Sequence, residues 1–168
     1  DGNTSVDADV SAAGLEYGGL SLANLTAKAA IANGRGKVTG TVAGRRADRF
    51  ALNFDADVAP NQIAAAARGQ YGNAQITMPR RAILTKDGGG WALAPTQISY
   101  GDGIAIAQGR FGGNGPTDLK LQLADMSLSV LDIAFTDMSL EGKVSGVVDY
   151  HAKPNAPPTG QGRLQITG

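Results

Sequence analysis

The stretch "GKVSGVVDY", residues 142–150, places Val144, Gly146, Val148 and Tyr150 on one side of an extended chain. Lys143, Ser145, Val147 and Asp149 fall on the other, the period-two pattern of a strand with one dry and one wet face. Near the other end of the chain, "GKVTGTVAG" (36–44) is almost the same stretch, again with a glycine at its centre. A strand unit written twice points to a repetitive β architecture in which each unit buries its dry face with help from its neighbours.

The same alternation recurs along the chain. Val38 and Val42 are followed by Phe50, Leu52, Phe54, Ala56 and Val58, then by Ile63 to Tyr71, Ile76 and Met78. Trp91 and Leu93, Ile98 and Tyr100, and Ile104 and Ile106 come next, then Leu119, Leu121 and Leu123, and finally Leu164 and Ile166. Between these runs lie "NGRG" (33–36), "APNQ" (59–62), "KDGGG" (86–90), "YGDG" (100–103), "GGNGP" (112–116) and "KPNAPP" (153–158). Asn-Gly, Asp-Gly and Pro-Asn supply the backbone angles of tight turns, so the strands read as an antiparallel meander. The Ala-rich segments 24–32 and 62–69 read as strand because their neighbours alternate. Leu128, Leu131 and Phe135 lie at helical spacing behind Ser127, which predicts one short helix near 127–135.

Composition narrows the function classes. The chain has 168 residues, 15 basic and 15 acidic side chains, and no cysteine. A balanced charge gives no basic face for nucleic acid, and the absence of cysteine excludes disulfides and thiolate metal sites. Glycine makes up 24 residues and aromatics only 5%, while much of the apolar content is alanine, which suits a thin, extended sheet better than a thick core. No apolar run approaches the roughly 18 residues of a membrane-spanning helix. The first residue, Asp1, and the strand-like end "GRLQITG" suggest a segment of a longer protein, and the whole of 1–168 reads as one such segment.

Catalytic and ligand-binding motifs are hard to find. His151 is the single histidine and cannot by itself supply a zinc site. "GRGKVTG" lacks the order of a phosphate-binding loop, and "KDGGGW" and "YGDG" lack the repeats of a calcium-binding nonapeptide. Asp55 and Asp57 belong to the wet face of their strand; as a glycosidase pair they would need a cleft. No cofactor, metal or catalytic residue is expected. What stands out is the dry stripe, which a single sheet cannot leave in water without a second sheet, a partner or lipid to cover it.

Residues 119–168 resemble the recurring pattern of the TamB family, the inner-membrane-anchored subunit of the translocation and assembly module. The resemblance rests on Leu121 and Leu123, the "LSVLD" run from Leu128 to Asp132, Leu140 to Tyr150, the loop from Pro154 to Pro158, and Gly160 to Gly168. Residues 78–113 are similar to α-proteobacterial members, and Ser127 departs from the pattern where proline is common. The resemblance implies an all-β fold, an elongated antiparallel twisted sheet folded into an open trough with an apolar interior, often called a β-taco.

It further implies a periplasmic, non-enzymatic role in carrying phospholipid to the outer membrane or in assembling outer-membrane proteins with a TamA-type barrel. The expected partners are phospholipid acyl chains or outer-membrane protein strands, along with edge-strand self-association of the segment. A structural or adhesive β-solenoid of a secreted surface protein is the alternative, and a carbohydrate-active enzyme comes third.

The groove residues expected on this reading are Val38, Val42, Phe50, Leu52, Phe54, Val58, Ile63, Ile76, Met78, Leu93, Ile98, Ile104, Ile106, Leu119, Leu121, Leu123, Val144, Gly146, Val148, Leu164 and Ile166. Gly146 and Gly40 are expected to let the sheet curl or to leave room for an acyl chain.

Overall fold

A computed structural model describes residues 5–17, 20–46, 48–129, 141–154 and 156–168. Thirteen strands form one antiparallel sheet: β1 (Ser5–Ala12), β2 (Leu15–Tyr17), β3 (Leu20–Ala32), β4 (Arg35–Arg46), β5 (Asp48–Ala59), β6 (Gln62–Tyr71), β7 (Ala74–Thr77), β8 (Ala82–Asp87), β9 (Gly90–Tyr100), β10 (Gly103–Phe111), β11 (Thr117–Ser127), β12 (Lys143–Ala152) and β13 (Thr159–Thr167). Neighbours in sequence are neighbours in the sheet, apart from β2, which adds only to β3, and β8, which lies between β6 and β9. The all-β antiparallel meander expected from the turns is therefore present, and both Ala-rich segments are strand.

Two-residue turns set the register. They join Ala32 to Arg35, Ala59 to Gln62, Tyr71 to Ala74, Asp87 to Gly90 and Tyr100 to Gly103. In the first of these, Asn33 and Gly34 take φ of 53° and 71°, the positive values a tight hairpin needs to match the twist of its strands. Such a turn pairs its flanking residues directly, so positions three apart share a face. The alternation of one strand is thereby handed on to the next without slipping.

Where the alternation would slip, a bulge restores it. β3 shifts register between Leu22 and Asn24, so that Leu22 and Leu25, three apart, pair with Gly44 and Val42 on one face. β9 shifts around Ala94 and Pro95, where a proline missing its N–H is tolerated. β11 shifts between Leu123 and Met126; Asp125 there takes φ of 47°, and its N–H donates to Ser145 Oγ at 2.9 Å.

The sheet has a seam. β7 and β8 fill one strand position between β6 and β9, split by residues 78–81, "MPRR". Within the seam the Ala67 N–H reaches Met78 Sδ at 3.2 Å, and Arg81 donates to the Ala64 carbonyl at 2.7 Å. Arg81 also bridges Asp55 at 2.5 Å and Asp57 at 3.1 Å. Side chains from the break thus partner backbone groups along this stretch of β6.

The buried residues cluster at one end of the strands: Tyr71, Tyr100, Met126, Leu128 and Val144, with Phe50, Ile76, Ala105 and Leu123 against them. Tyr71 is the most enclosed at 2% exposure, and its hydroxyl donates to the Arg46 carbonyl at 2.8 Å. Leu128 is tied in by its N–H, which donates to the Gly142 carbonyl at 3.0 Å. Of the helix expected at 127–135, Ser127 instead ends β11, residues 128 and 129 form a tight turn, and the remainder lies outside the described residues. Ser127 still works locally as a cap does, its Oγ accepting the Ser129 N–H at 3.3 Å.

The two copies of the repeated stretch are β4 and β12, and their central glycines do different things. A Cβ at Gly40 would collide with the Phe54 ring and the Thr26 carbonyl: Phe54, from the next strand, lies over the glycine. Gly146 has φ of 148°, and a Cβ there would strike the Arg163 carbonyl of β13. Neither position is the open space for an acyl chain expected from the sequence. One is filled by an aromatic ring, and the other permits a backbone twist that side chains resist.

Gly40→Ala and Gly146→Ala are each expected to lower stability by about 1–3 kcal/mol, read from urea midpoints. Phe54→Leu should recover part of the loss at Gly40. Leu164→Ala should recover nothing at Gly146, because the obstruction there is backbone.

Candidate functional site: the apolar sheet face

Tracing cross-strand pairs shows how far the dry stripe extends. One row runs Val6, Ile31, Gly36, Val58, Ile63, Leu84, Leu93, Gly109, Leu119, Tyr150, Gly160, from one edge of the sheet to the other. It contains no charged residue. At about 4.8 Å per strand, ten steps carry this row roughly 48 Å along the sheet.

Parallel rows repeat the pattern on the same face. Val42 pairs with Leu52, and Leu52 with Gly69; Val38 pairs with Ala56; Phe50 pairs with Tyr71; Ile76 pairs with Tyr100. In the second half, Ile98, Ala105, Leu123, Gly146 and Leu164 form one row, and Thr96, Ala107, Leu121, Val148 and Gly162 another. Met126, Val144 and Ile166 complete a third. Thr96 is the polar exception; it is buried, and its hydroxyl donates to the Ala94 carbonyl at 2.8 Å.

Of the residues expected in a groove, then, those within the strands share this face with two exceptions. Ile104 pairs with Ser99 and Ala124, and Ile106 with Gln97 and Gln122, which puts both on the polar side. Ala105 and Ala107 take their places. The cause is the turn at Gly101 and Asp102, which pairs Tyr100 with Gly103 and so sends the odd-numbered residues of β10 to the apolar face. In "GIAIA" both parities are apolar, so hydrophobicity alone points to the larger side chains. Met78 lies just past the end of β7 and meets Ala67 through its sulfur.

Sequence reasoning also left out part of the face. Leu25, Ala27 and Ile31 of β3 belong to it, as does Leu84 of β8. The signal for β3 was present but shifted by its bulge, which breaks the alternation at Asn24.

The opposite face is a polar ladder. Thr26 and Thr41 hydroxyls meet at 2.7 Å, Lys28 pairs with Asp9 at 3.6 Å, and Lys37 with Asp57 at 3.5 Å. Arg110 pairs with Asp87 at 2.9 Å, and His151 Nδ1 lies 2.6 Å from Asp118. These are exposed pairs, worth about 0–1 kcal/mol each, and they set which face is wet more than they set stability. A groove of about 480 Å³ on this side is lined by Thr26, Lys28, Thr39, Thr41, Asn53, Asp55 and Arg68, among others. Another of similar size is lined by residues including Gln108, Arg110, Asp118, Lys120, Asp149 and His151. Among the described residues, no three His, Cys, Asp or Glu side chains converge as metal ligands do.

The apolar face is only partly covered. The chain exposes 11041 Å², against ~7,800 Å² for a compact monomer of its mass. Among the described residues most apolar side chains of the sheet are half-buried, shielding one another sideways. Toward the edges they open further, with Val6 at 49% and Ile166 at 64%. Chemically this face can bind apolar surface by removing it from water, at about 25 cal/mol per Å².

No protein-family model, curated protein or solved structure matches the chain.

Leu121→Lys is expected to cut the binding of a hydrophobic fluorescent probe severalfold, because its charge lies in the middle of the dry face. Ile106→Lys should leave probe binding unchanged and shift stability by less than about 0.5 kcal/mol. Equal losses in the two variants would contradict the assignment of faces.

Proposed function

We propose that this chain is a segment of a TamB-like periplasmic protein and that its apolar face carries phospholipid acyl chains toward the outer membrane. The observation that supports this most directly is the apolar row spanning every strand position, which the described residues cover only in part. The likeness of residues 119–168 to the TamB pattern adds the compartment, the inner-membrane anchor outside this chain, and a TamA-type barrel as partner of the whole protein.

The sheet curls along the row direction into a trough, with tails lying across successive strands and headgroups in water at the open side. Each buried methylene contributes about 0.8 kcal/mol, so a tail is held firmly, yet neighbouring strands offer similar surfaces and let it slide. Outer-membrane protein strands are a second cargo with the same apolar requirement. No catalysis, cofactor or metal takes part. The solenoid alternative needs parallel coils, and the antiparallel pairing throughout the sheet does not suit it.

Organic extracts of the purified chain, examined by mass spectrometry, are expected to contain phospholipid. Leu52→Glu and Val148→Glu should lose most of it while keeping the β-rich circular dichroism of the parent, and Ile106→Glu should retain it. Extracts free of lipid, or equal lipid in all three variants, would overturn the conduit reading.

A further inference from the structure

Charged residues that lie opposite one another in this sheet are matched in sign, with one exception among the described residues. Asp9 lies opposite Lys28, Lys37 opposite Asp57, Arg46 opposite Asp48, Arg110 opposite Asp118 and Lys120 opposite Asp149. The exception is Arg45, which lies opposite Arg49 where β4 meets β5. Like charges placed directly opposite destabilise a strand pair, so the fold gives up stability at this point. Neither guanidinium has an ion-pair or hydrogen-bond partner among the described residues, and both residues are exposed.

The residues around the pair form a frame of polar groups with an open floor. Two positions inward along the same strands, on the same polar face, Ala43 and Ala51 pair with each other. Asn24 flanks Ala43 on β3, and Gln70 flanks Ala51 on β6. In the arginine row itself Ser21 lies beside Arg45, and Gly72 beside Arg49, its N–H donating to the Arg49 carbonyl at 2.8 Å. Small side chains thus leave space next to the two guanidinium groups, and hydroxyl and amide groups border it. Carboxylates stay at the margin: Glu16 is two strands from Arg45, beyond Ser21, and Asp48 lies beside Gly72 at the hairpin tip. Asp55 and Asp57, further along the same face, are held by Arg81.

We propose that Arg45 and Arg49 form a binding site for a phosphate group on the polar face. A phosphate between the two forks turns their repulsion into paired, charge-assisted hydrogen bonds. Arginine suits this role because its planar fork matches two phosphate oxygens at once, which a lysine ammonium does not. The site uses the wet face at the β4–β5 junction alone, and it stands apart from the cargo reading of the apolar face.

Inorganic phosphate, exchanged for chloride at constant ionic strength, is expected to raise the Tm of the 168-residue chain in a saturable way. Arg45→Gln and Arg49→Gln should each weaken phosphate affinity about tenfold or more. Arg35→Gln, an exposed arginine at the other end of β4, should leave affinity unchanged. In chloride alone, Arg49→Gln should keep or raise the Tm, because a repulsion is removed; a fall there would mark a structural role and overturn the proposal. Flotation with phosphatidylglycerol vesicles then identifies the source of the phosphate. Flotation lost in Arg49→Gln assigns a lipid headgroup, whereas saturable phosphate binding without Arg49-dependent flotation assigns a soluble phosphate. No saturable effect of phosphate, or equal losses in Arg35→Gln and Arg49→Gln, would also overturn the proposal.

Discussion

Parity is the constraint on which the rest of this structure depends. A strand offers alternate residues to alternate faces, and a slip of one residue at any turn would send all later apolar side chains to the wrong side. The thirteen strands among the described residues stay in phase because two-residue turns preserve parity, and because bulges at Leu22–Asn24, at Ala94–Pro95 and at Leu123–Met126 correct it where the sequence departs from strict alternation. The result is a sheet with chemically distinct sides, built without disulfides and with few large buried groups.

Stability in such a molecule is spread thinly. Backbone ladders join every pair of neighbours, cross-strand side-chain pairs add small increments, and among the described residues a compact cluster gathers around Tyr71, Tyr100 and Met126 at one end of the strands. The abundance of glycine fits this economy. Several strand glycines, among them Gly36, Gly40, Gly69, Gly109 and Gly146, lie on the apolar face beside bulky neighbours such as Val58, Phe54, Leu52, Leu119 and Leu123. A sheet whose side chains are mostly half-buried can still shelter them by alternating large and absent ones in the plane.

Much of this was legible in the residues. Period-two alternation identified the strands and turn chemistry identified the hairpins; together they announce an antiparallel meander, since both are local properties of a few residues. The apolar face was legible wherever large and polar side chains alternate, as in β5 and β11. It was not legible at "GIAIA", where both faces are apolar and only the length of the preceding turn decides. Nor was the role of Gly40 or Gly146 readable, because each depends on the register and geometry of the adjacent strand: the Phe54 ring for one, the Arg163 carbonyl for the other. What an apolar face carries is a further step that strand geometry does not encode.

The seam at "MPRR" matters for how such a chain comes together. Because each strand meets chiefly its neighbours in sequence, each new pairing closes only a short loop and costs little loop entropy. Cooperativity in a one-dimensional stack is only as strong as its weakest junction. Where one strand position is shared by the short β7 and β8, the ladder between β6 and β9 is interrupted, and side chains from Met78 and Arg81 stand in for strand pairing. The seam is therefore the junction where the strand ladder is thinnest, held by the short β7 and β8 together with the Met78 and Arg81 side chains.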